Sequence, residues 1–319
     1  MAEPRRIDLP EVDSVQVKTI MENNIDTLMG GSEVAQRWKR GPNPFEKPQP
    51  IAQHGFSVML EVRQGSRTGQ VMFDTGVSKD GILYNMDVLD IPVNEVQAIV
   101  LSHGHTDHAM GLPGLIKRLG HERRLPLVLH PDAYLERRLV LPDGSEVYMI
   151  PPRKTDFAQE NIEVIEELGP SMLIDGMVLV SGEVARTNDF ETGYPGHQAK
   201  REYDWEPDPL IIDDQCAIMN VRGKGLVIVT GCGHSGIVNI AHHAQALTGV
   251  QRIHAIIGGF HLTGPYFSPR IQATVAALRQ LRPTWLVPGH CTGWQAIHAI
   301  ANALPDSFIA TSVGTTFML

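Results

Sequence analysis

The most constraining feature of the sequence is a short polar stretch, LSHGHTDH at residues 101–108, that lies between two apolar segments. Residues 96–100 form an apolar run that predicts a buried strand. Residues 109–119 predict a helix with Gly111 and Pro113 near its start. The polar stretch therefore lies where a strand ends and a helix begins.

Four side chains in this stretch are potential metal ligands: His103, His105, Asp107 and His108. His103 and His105 are two residues apart, so an extended backbone points both imidazoles in the same direction. Protonated imidazoles at this spacing would repel one another unless something neutralised them. Imidazole suits zinc, iron, copper or nickel, and a carboxylate adds negative charge to hold a second divalent ion. The stretch therefore predicts a metal site, and a polar surface loop is the alternative.

Composition narrows the functional classes. The chain has 319 residues, of which 42% are hydrophobic and 20% charged, enough for a buried core. Its formal net charge of −9 gives no support to a nucleic-acid role. The first residues lack the apolar core of a signal peptide, and no run is apolar and long enough to span a bilayer. We therefore expect a small-molecule substrate, no nucleic-acid or membrane partner, and an oligomeric state that the sequence leaves open.

Cysteine content bears on the compartment. The chain contains three cysteines, Cys216, Cys232 and Cys291. An odd, small number fits a reducing compartment better than a disulfide framework. The sequence therefore predicts a cytoplasmic protein.

Strands and helices are predicted along the whole chain from apolar periodicity. Strands are expected at residues 15–21, 56–62, 70–76, 96–100, 125–130, 177–180, 216–221, 226–230, 253–257 and 284–287. Helices are expected at residues 109–119, 133–138, 237–247, 268–281 and 294–304. Residues 30–50 and 187–209 are expected to be loops that either cover a pocket or serve as plain connectors and surface packing.

Two further histidines follow predicted strands. His234 lies in the sequence GCGHSG and His261 in GGFHL. Small neighbours allow a metal or a substrate to approach the backbone closely, so His234 is predicted to be a ligand, with helix capping as the alternative. An unperturbed imidazole titrates near neutrality, so His261 is predicted to act in general acid or base catalysis, although substrate contact and metal ligation stay open.

The LSHGHTDH stretch resembles the H-x-H-x-D-H signature of the metallo-β-lactamase superfamily. The resemblance implies an α/β fold, a four-layer αββα sandwich with one or two metal ions at the edge between two β-sheets. It implies one domain over residues 1–319 with insertions around residues 121–165 and 186–209. The Pro-Gly-His motif that ends at His290 resembles the final ligand motif and implies a ligand of the second metal site.

Other positions either match the superfamily pattern or depart from it. Asp74 resembles the aspartate that orients ligand histidines, and a turn aspartate is the alternative. His130 is expected to be structural. Glu183 stands where many members carry a ligand histidine, so either it ligates or another residue supplies the ligand. Cys232 stands nearest to the usual bridging aspartate, and both a thiolate ligand and an inert buried thiol stay open.

Three longer motifs, GCGHSGIVNI, IGGFHL and SGEV, resemble one branch of the superfamily. That branch is similar to the dihydropterin-linked ribofuranosyl-aminobenzene phosphate synthase of methanopterin biosynthesis. Many of its members are known only as metal-dependent hydrolases. Because this scaffold hosts hydrolases, oxidoreductases and transferases, the resemblance leaves the reaction open.

The predicted function is metal-assisted hydrolysis of an ester, lactone or phosphoester by metal-activated water. One or two divalent ions, zinc first with iron or manganese as alternatives, would be held by His103, His105, Asp107, His108, His234 and His290. Asp107 and His261 are the predicted catalytic residues, and His261 would protonate the leaving group. The alternatives are a transferase that joins a dihydropterin pyrophosphate to an aromatic amine and a non-catalytic binder of a small ligand.

Overall fold

Two β-sheets pack face to face, and helices cover both outer faces. The computed structural model describes residues 6–39, 41, 43, 46–120, 124–157 and 161–319. In chain order the strands are β1 (Glu11–Val12), β2 (Ser14–Met21), β3 (Ala35–Gln36), β4 (Ser57–Gln64), β5 (Arg67–Phe73), β6 (Ala98–Val100), β7 (Leu125–Leu129), β8 (Arg137–Val140), β9 (Glu146–Met149), β10 (Ile162–Glu166), β11 (Ser171–Leu173), β12 (Val178–Val180), β13 (His197–Arg201), β14 (Asp204–Pro207), β15 (Cys216–Val221), β16 (Gly225–Thr230), β17 (Ile253–Gly259), β18 (Trp285–Gly289) and β19 (Thr316–Met318). The α-helices are α1 (Gly81–Val88), α2 (Thr106–Ala109), α3 (Leu112–Leu119), α4 (Ile237–Thr248), α5 (Ile271–Leu281) and α6 (Trp294–Ala303).

The strand order brings several strand ends to one edge. The first sheet has the order β11-β12-β15-β16-β17-β18, with β1 also paired to β15. The second has the order β10-β7-β6-β5-β4-β2-β19-β3. Strands β16, β17 and β18 are parallel to one another, as are β5, β6 and β7. In each set the carboxyl ends therefore lie side by side, where α/β proteins usually place their ligands.

Three apolar clusters define four layers. Val58 of β4 and Val227 of β16 belong to the central cluster, which fills the space between the two sheets. Ile240 of α4 belongs to a second cluster on the outer face of the first sheet. Leu115 of α3 belongs to a third cluster on the outer face of the second sheet. This arrangement is the αββα sandwich, so the fold class predicted from the sequence is confirmed.

Parts of the two stretches predicted as insertions form a third, four-stranded sheet of order β14-β13-β8-β9. Strands β7 and β10, at the two ends of the first stretch, instead pair with each other in the second sheet. The prediction of a loop over residues 187–209 is wrong in part, because β13 and β14 form a hairpin that pairs with β8. The helix predicted over residues 133–138 is also wrong. Arg137 lies in β8 instead, where its buried guanidinium contacts Asp208 and Asp213 at 2.8 and 2.7 Å. These long-range contacts override the local helical pattern.

Two smaller differences separate the predicted elements from the observed ones. The helix predicted over residues 109–119 is interrupted, because α2 ends at Ala109 and α3 begins at Leu112. A side chain at Gly111 would overlap the carbonyl oxygen of Thr75, so the chain turns there. The predicted loop over residues 30–50 contains β3, and its residues 40, 42, 44 and 45 lie outside the described part. Within the described part, no helix is long and apolar enough to cross a membrane.

Candidate metal centre

The candidate site lies at the shared edge of the two main sheets, just after the ends of β5, β6, β16, β17 and β18. Three of its residues have left-handed backbone conformations, with φ angles of 60° at Asp74, 44° at His261 and 47° at His290. Residues other than glycine rarely adopt these angles, and such strain concentrates at functional sites. Gly231, which follows β16, lies so close to Ser102 and Asp74 that a side chain there would overlap both.

A first cluster consists of His103, His105 and His234. One ring nitrogen from each lies within 4.8 Å of the others. Nδ1 of His105 and Nε2 of His234 are 3.2 Å apart. The Nε2 atoms of His103 and His105 are buried and have no hydrogen-bond partner among the described residues. Buried polar atoms are normally paired, so the unpaired Nε2 of His103 points to a partner that the protein does not supply, such as a metal ion.

A second cluster consists of Asp107, His108, Cys232 and His290. Nε2 of His108 lies 3.1 Å from Nε2 of His290 and 3.1 Å from Sγ of Cys232. Nε2 of His290 lies 3.3 Å from Oδ2 of Asp107. Four donor atoms therefore converge on one small volume, and they come from segments that follow β6, β16 and β18.

Both clusters fit a divalent metal ion. Ligand atoms around a tetrahedral zinc ion are expected about 3.3–3.6 Å apart, given Zn–N bonds of about 2.0–2.1 Å and Zn–S bonds of about 2.3 Å. The observed separations of 3.1–3.3 Å are close to that range. Nε2 of His108 and Nε2 of His290, 3.1 Å apart, either share one proton or, when both are unprotonated, suit a cation between them. Imidazole, carboxylate and thiolate together suit zinc and its neighbours among the transition metals.

Burial controls the charge of the first cluster. It lowers the pKa of His103, His105 and His234, and nearby cationic groups lower the pKa of each further. These imidazoles are therefore neutral near pH 7, which leaves their ring nitrogens free to act as ligands.

Charge pairing dominates the second cluster. Burial acts to lower the pKa of His108, but Asp107 and Asp74 outweigh it and raise that pKa above its usual value. Burial acts to raise the pKa of Asp107, but His108 and His290 hold it well below its usual range. Asp107 is therefore ionised at neutral pH and adds a negative charge to this cluster.

Asp74 orients the signature loop, as the resemblance implied. Its carboxylate accepts hydrogen bonds from N and Oγ of Ser102, each at 2.7 Å, and from Nδ1 of His108 at 2.7 Å. Because the Ser102 hydroxyl proton points to Asp74, Nδ1–H of His103 donates to Oγ of Ser102 at 2.9 Å. Both histidines therefore carry their proton on Nδ1, and Nε2 faces the cluster.

His290 is oriented by two residues that directly follow β2, Glu22 and Asn23. Oδ1 of Asn23 lies 3.1 Å from Nδ1 of His290. Oε1 of Glu22 accepts the backbone N–H of His290 at 2.7 Å. No local sequence signal indicates these contacts, because they join residues 267 and 268 positions apart.

His261 and His197 lie beside the first cluster. The His261 ring centroid is 4.2 Å from that of His234, and burial lowers the pKa of His261 to about 3. The His197 ring centroid is 5.7 Å from that of His105, and burial lowers the pKa of His197 to about 4. His197 lies on β13, in residues predicted to be a loop, so no sequence signal marked it as a site residue.

Glu183 does not join either cluster. Its carboxylate lies 3.2 Å from Nε2 of His130, and its side chain is 47% exposed. His130 also accepts the backbone N–H of Asp132, so its ring is engaged away from the clusters. Glu183 was predicted either to be a metal ligand or to be replaced in that role by another residue. The geometry favours the second alternative, because His234 lies beside His103 and His105.

An open cavity of about 830 Å³ leads to both clusters. Its described polar lining includes His105, Asp107, His197, Cys232, His234 and His261. Cavities of this size accommodate small-molecule ligands.

The sequence relationships agree with this geometry. The family model described as the metallo-beta-lactamase superfamily matches residues 52–247 of the chain. The chain belongs to the metallo-beta-lactamase superfamily. A solved structure of a metal-dependent hydrolase of this superfamily covers 96% of the chain and is itself covered to 99%, with a TM-score of 0.70 and 21% identity. That likeness shows the shared fold.

Two curated relatives of this superfamily member come from Methanocaldococcus jannaschii. One is 7,8-dihydropterin-6-methyl-4-(beta-D-ribofuranosyl)-aminobenzene-5'-phosphate synthase, 29% identical over 265 residues that cover 81% of this chain and 87% of the relative. The other is an uncharacterised protein, 29% identical over 273 residues that cover 83% of this chain and 93% of the relative. The resemblance to the superfamily and to its synthase-like branch is therefore confirmed.

Proposed function

We propose that this chain is a metal-dependent hydrolase that cleaves an ester, lactone or phosphoester of a small molecule with activated water. The observation that carries the proposal is that both clusters of ligand atoms face one open cavity. A site buried on all sides could stabilise the fold, but a site that opens into a substrate-sized cavity is suited to catalysis.

The chain's own residues divide into two ligand groups. His103, His105 and His234 would hold one ion. Asp107, His108 and His290 would hold a second, with Cys232 within reach of it. Ions bound there supply Lewis acidity, which makes water nucleophilic at neutral pH and polarises the scissile carbonyl or phosphoryl group.

Asp107 and His261 act on the substrate side. The Asp107 side chain is 21% exposed and lines the cavity, so its ionised carboxylate can accept a hydrogen bond from the attacking water and orient it. His261 also lines the cavity. Because burial lowers its pKa to about 3, His261 is neutral at pH 7 and assists the leaving group by donating a ring N–H hydrogen bond.

The transferase alternative rests on the branch resemblance of the sequence motifs, and the name of one relative at 29% identity agrees with it. Transfer and hydrolysis would use the same ligand groups, and they differ in whether water or an aromatic amine attacks. Direct product analysis separates them.

The test is chelation and reconstitution with a substrate panel. Purified protein is treated with a chelator, then reloaded with zinc, manganese or iron(II), and assayed on nitrophenyl esters, lactones and phosphodiesters. We expect chelation to lower hydrolysis at least about a hundredfold and one of the metals to restore it. Hydrolysis that persists after complete metal removal would contradict the proposal. A condensed product from a dihydropterin diphosphate and an aromatic amine, without ester hydrolysis, would replace it with the transferase.

A further inference from the structure

Much of the lining of this cavity is apolar. One part of it comes from β8, β9 and the turn between them, and the other part from the loop after β17. The apolar side chains of this wall are Leu139, Leu141, Pro142, Val147, Met149 and Phe267. Tyr148, Tyr194 and Tyr266 add aromatic rings to the same wall.

Several of these side chains are exposed where a folded protein normally buries apolar groups. Val147 is 49% exposed, Tyr148 61% and Tyr266 40%. Contiguous exposed apolar surface disfavours the free protein in water and marks a place where something apolar binds. Because this surface is continuous with the cavity, the substrate is the occupant that the geometry favours.

The aromatic part of the wall reaches the reaction site. The Tyr194 and Tyr266 ring centroids are 4.8 Å apart, and those of Tyr266 and Phe267 are 5.3 Å apart. The Phe267 ring lies 4.6 Å from the ring of His261 in an edge-on contact. A part of the substrate that packs on these rings would therefore lie only a few bonds from the group that is hydrolysed.

The lining of this cavity in the described part of the chain includes no lysine or arginine. Arg270 lies near, but its guanidinium stacks over the Tyr266 ring at 4.8 Å and donates to the Gly193 carbonyl at 2.8 Å. Arg137 is fully engaged by two aspartates. A phosphate group distant from the metal clusters would therefore find no charged partner.

From these contacts, and resting on the proposed function, we infer that the substrate is an uncharged ester or lactone with a large apolar acyl part. The acyl part lies against Val147, Met149 and the Tyr266–Phe267 rings, and the ester group lies at the ligand clusters. Phosphoesters and pyrophosphates are poorer substrates, because the cavity offers them apolar surface instead of cations.

The test compares acyl chain lengths in the metal-loaded, full-length protein. Nitrophenyl esters from acetyl to octanoyl are assayed beside a nitrophenyl phosphodiester. Full burial of one methylene group corresponds to about a fourfold gain in kcat/KM, and a partly open cavity should give about twofold. The kcat/KM for the octanoyl ester should therefore be at least about tenfold higher than that for the acetyl ester, and both values should be higher than that for the phosphodiester.

Val147→Asp probes the wall, because Val147 is exposed and the change leaves the core intact. The substitution should lower kcat/KM for the octanoyl ester about tenfold and should change kcat/KM for the acetyl ester less than about twofold. Leu168→Asp is the matched control, since Leu168 is 56% exposed and lies outside the cavity lining. This control should leave the preference for chain length unchanged.

The outcomes separate the inference from the proposed function. Metal-dependent hydrolysis without a preference for long chains, or with a preference for the phosphodiester, overturns the inference and leaves the proposed function standing. If no ester is hydrolysed, the proposed function fails, and calorimetry with octanamide decides the inference: binding that Val147→Asp abolishes supports it, and no binding overturns it. Val147→Asp could instead change the sedimentation coefficient and leave the preference for chain length unchanged. That result would show that the apolar wall is a contact between two copies of the chain, and it would overturn the inference.

Discussion

Replacement of both His103 and His105 by alanine should lower metal-dependent hydrolysis at least about a thousandfold, equivalent to about 4 kcal/mol of barrier. The two imidazoles supply two of the three nitrogens of the first cluster, and His234 alone cannot hold an ion tightly. The measurement is steady-state kinetics on the best ester of the panel, with metal content determined on the same sample.

His242→Ala is the control for this change. His242 is exposed on α4, so its loss removes an imidazole without touching either cluster. The control should keep the metal content and the activity of the unmodified protein. A double variant that retained its activity and its full metal content would rule out the first cluster as a metal site.

Arg137→Met should lower the free energy of unfolding by about 3–5 kcal/mol, the usual cost of breaking a buried ion pair. The Arg137 side chain is 1% exposed, and its partners Asp208 and Asp213 are 6% and 0% exposed. Methionine fills similar volume but leaves both carboxylates buried without a counter-charge. Urea denaturation of the two proteins measures the difference.

Arg137 also links the third sheet to the metal loop, because Asp213 accepts the backbone N–H of Gly104 at 2.9 Å. Gly104 lies between His103 and His105, so the variant should bind metal more weakly as well. Arg118→Met is the matched control, since the Arg118–Asp87 pair is exposed and its loss should cost less than about 1 kcal/mol. Equal effects of the two substitutions would show that the buried network is not stabilising.

The residues that the sequence identifies most directly are those brought together by local structure. His103, His105, Asp107 and His108 lie within six residues after one strand, so their grouping needs no long-range information. His234 is predicted from its small neighbours at a strand end, and His290 from the resemblance of Pro-Gly-His to the final ligand motif of the superfamily. Parallel strands β16 and β18 then carry them to the same edge of the sandwich.

The parts that the sequence could not supply depend on contacts between distant segments. Asn23 orients His290 although the two residues are 267 positions apart in the sequence. His197 reaches the site because β13 pairs with β8, and β8 begins at Arg137, which Asp208 and Asp213 hold in place. In both places local periodicity is weak or misleading, and tertiary contacts determine the structure.

The most direct test of the metal centre is anomalous X-ray scattering from a crystal of the metal-loaded protein, measured at the absorption edge of the metal. We predict an anomalous peak within about 2.0–2.3 Å of the ring nitrogens of His103, His105 and His234, or of the donor atoms of Asp107, His108 and His290. A crystal of metal-loaded protein without an anomalous peak at either cluster would contradict the account.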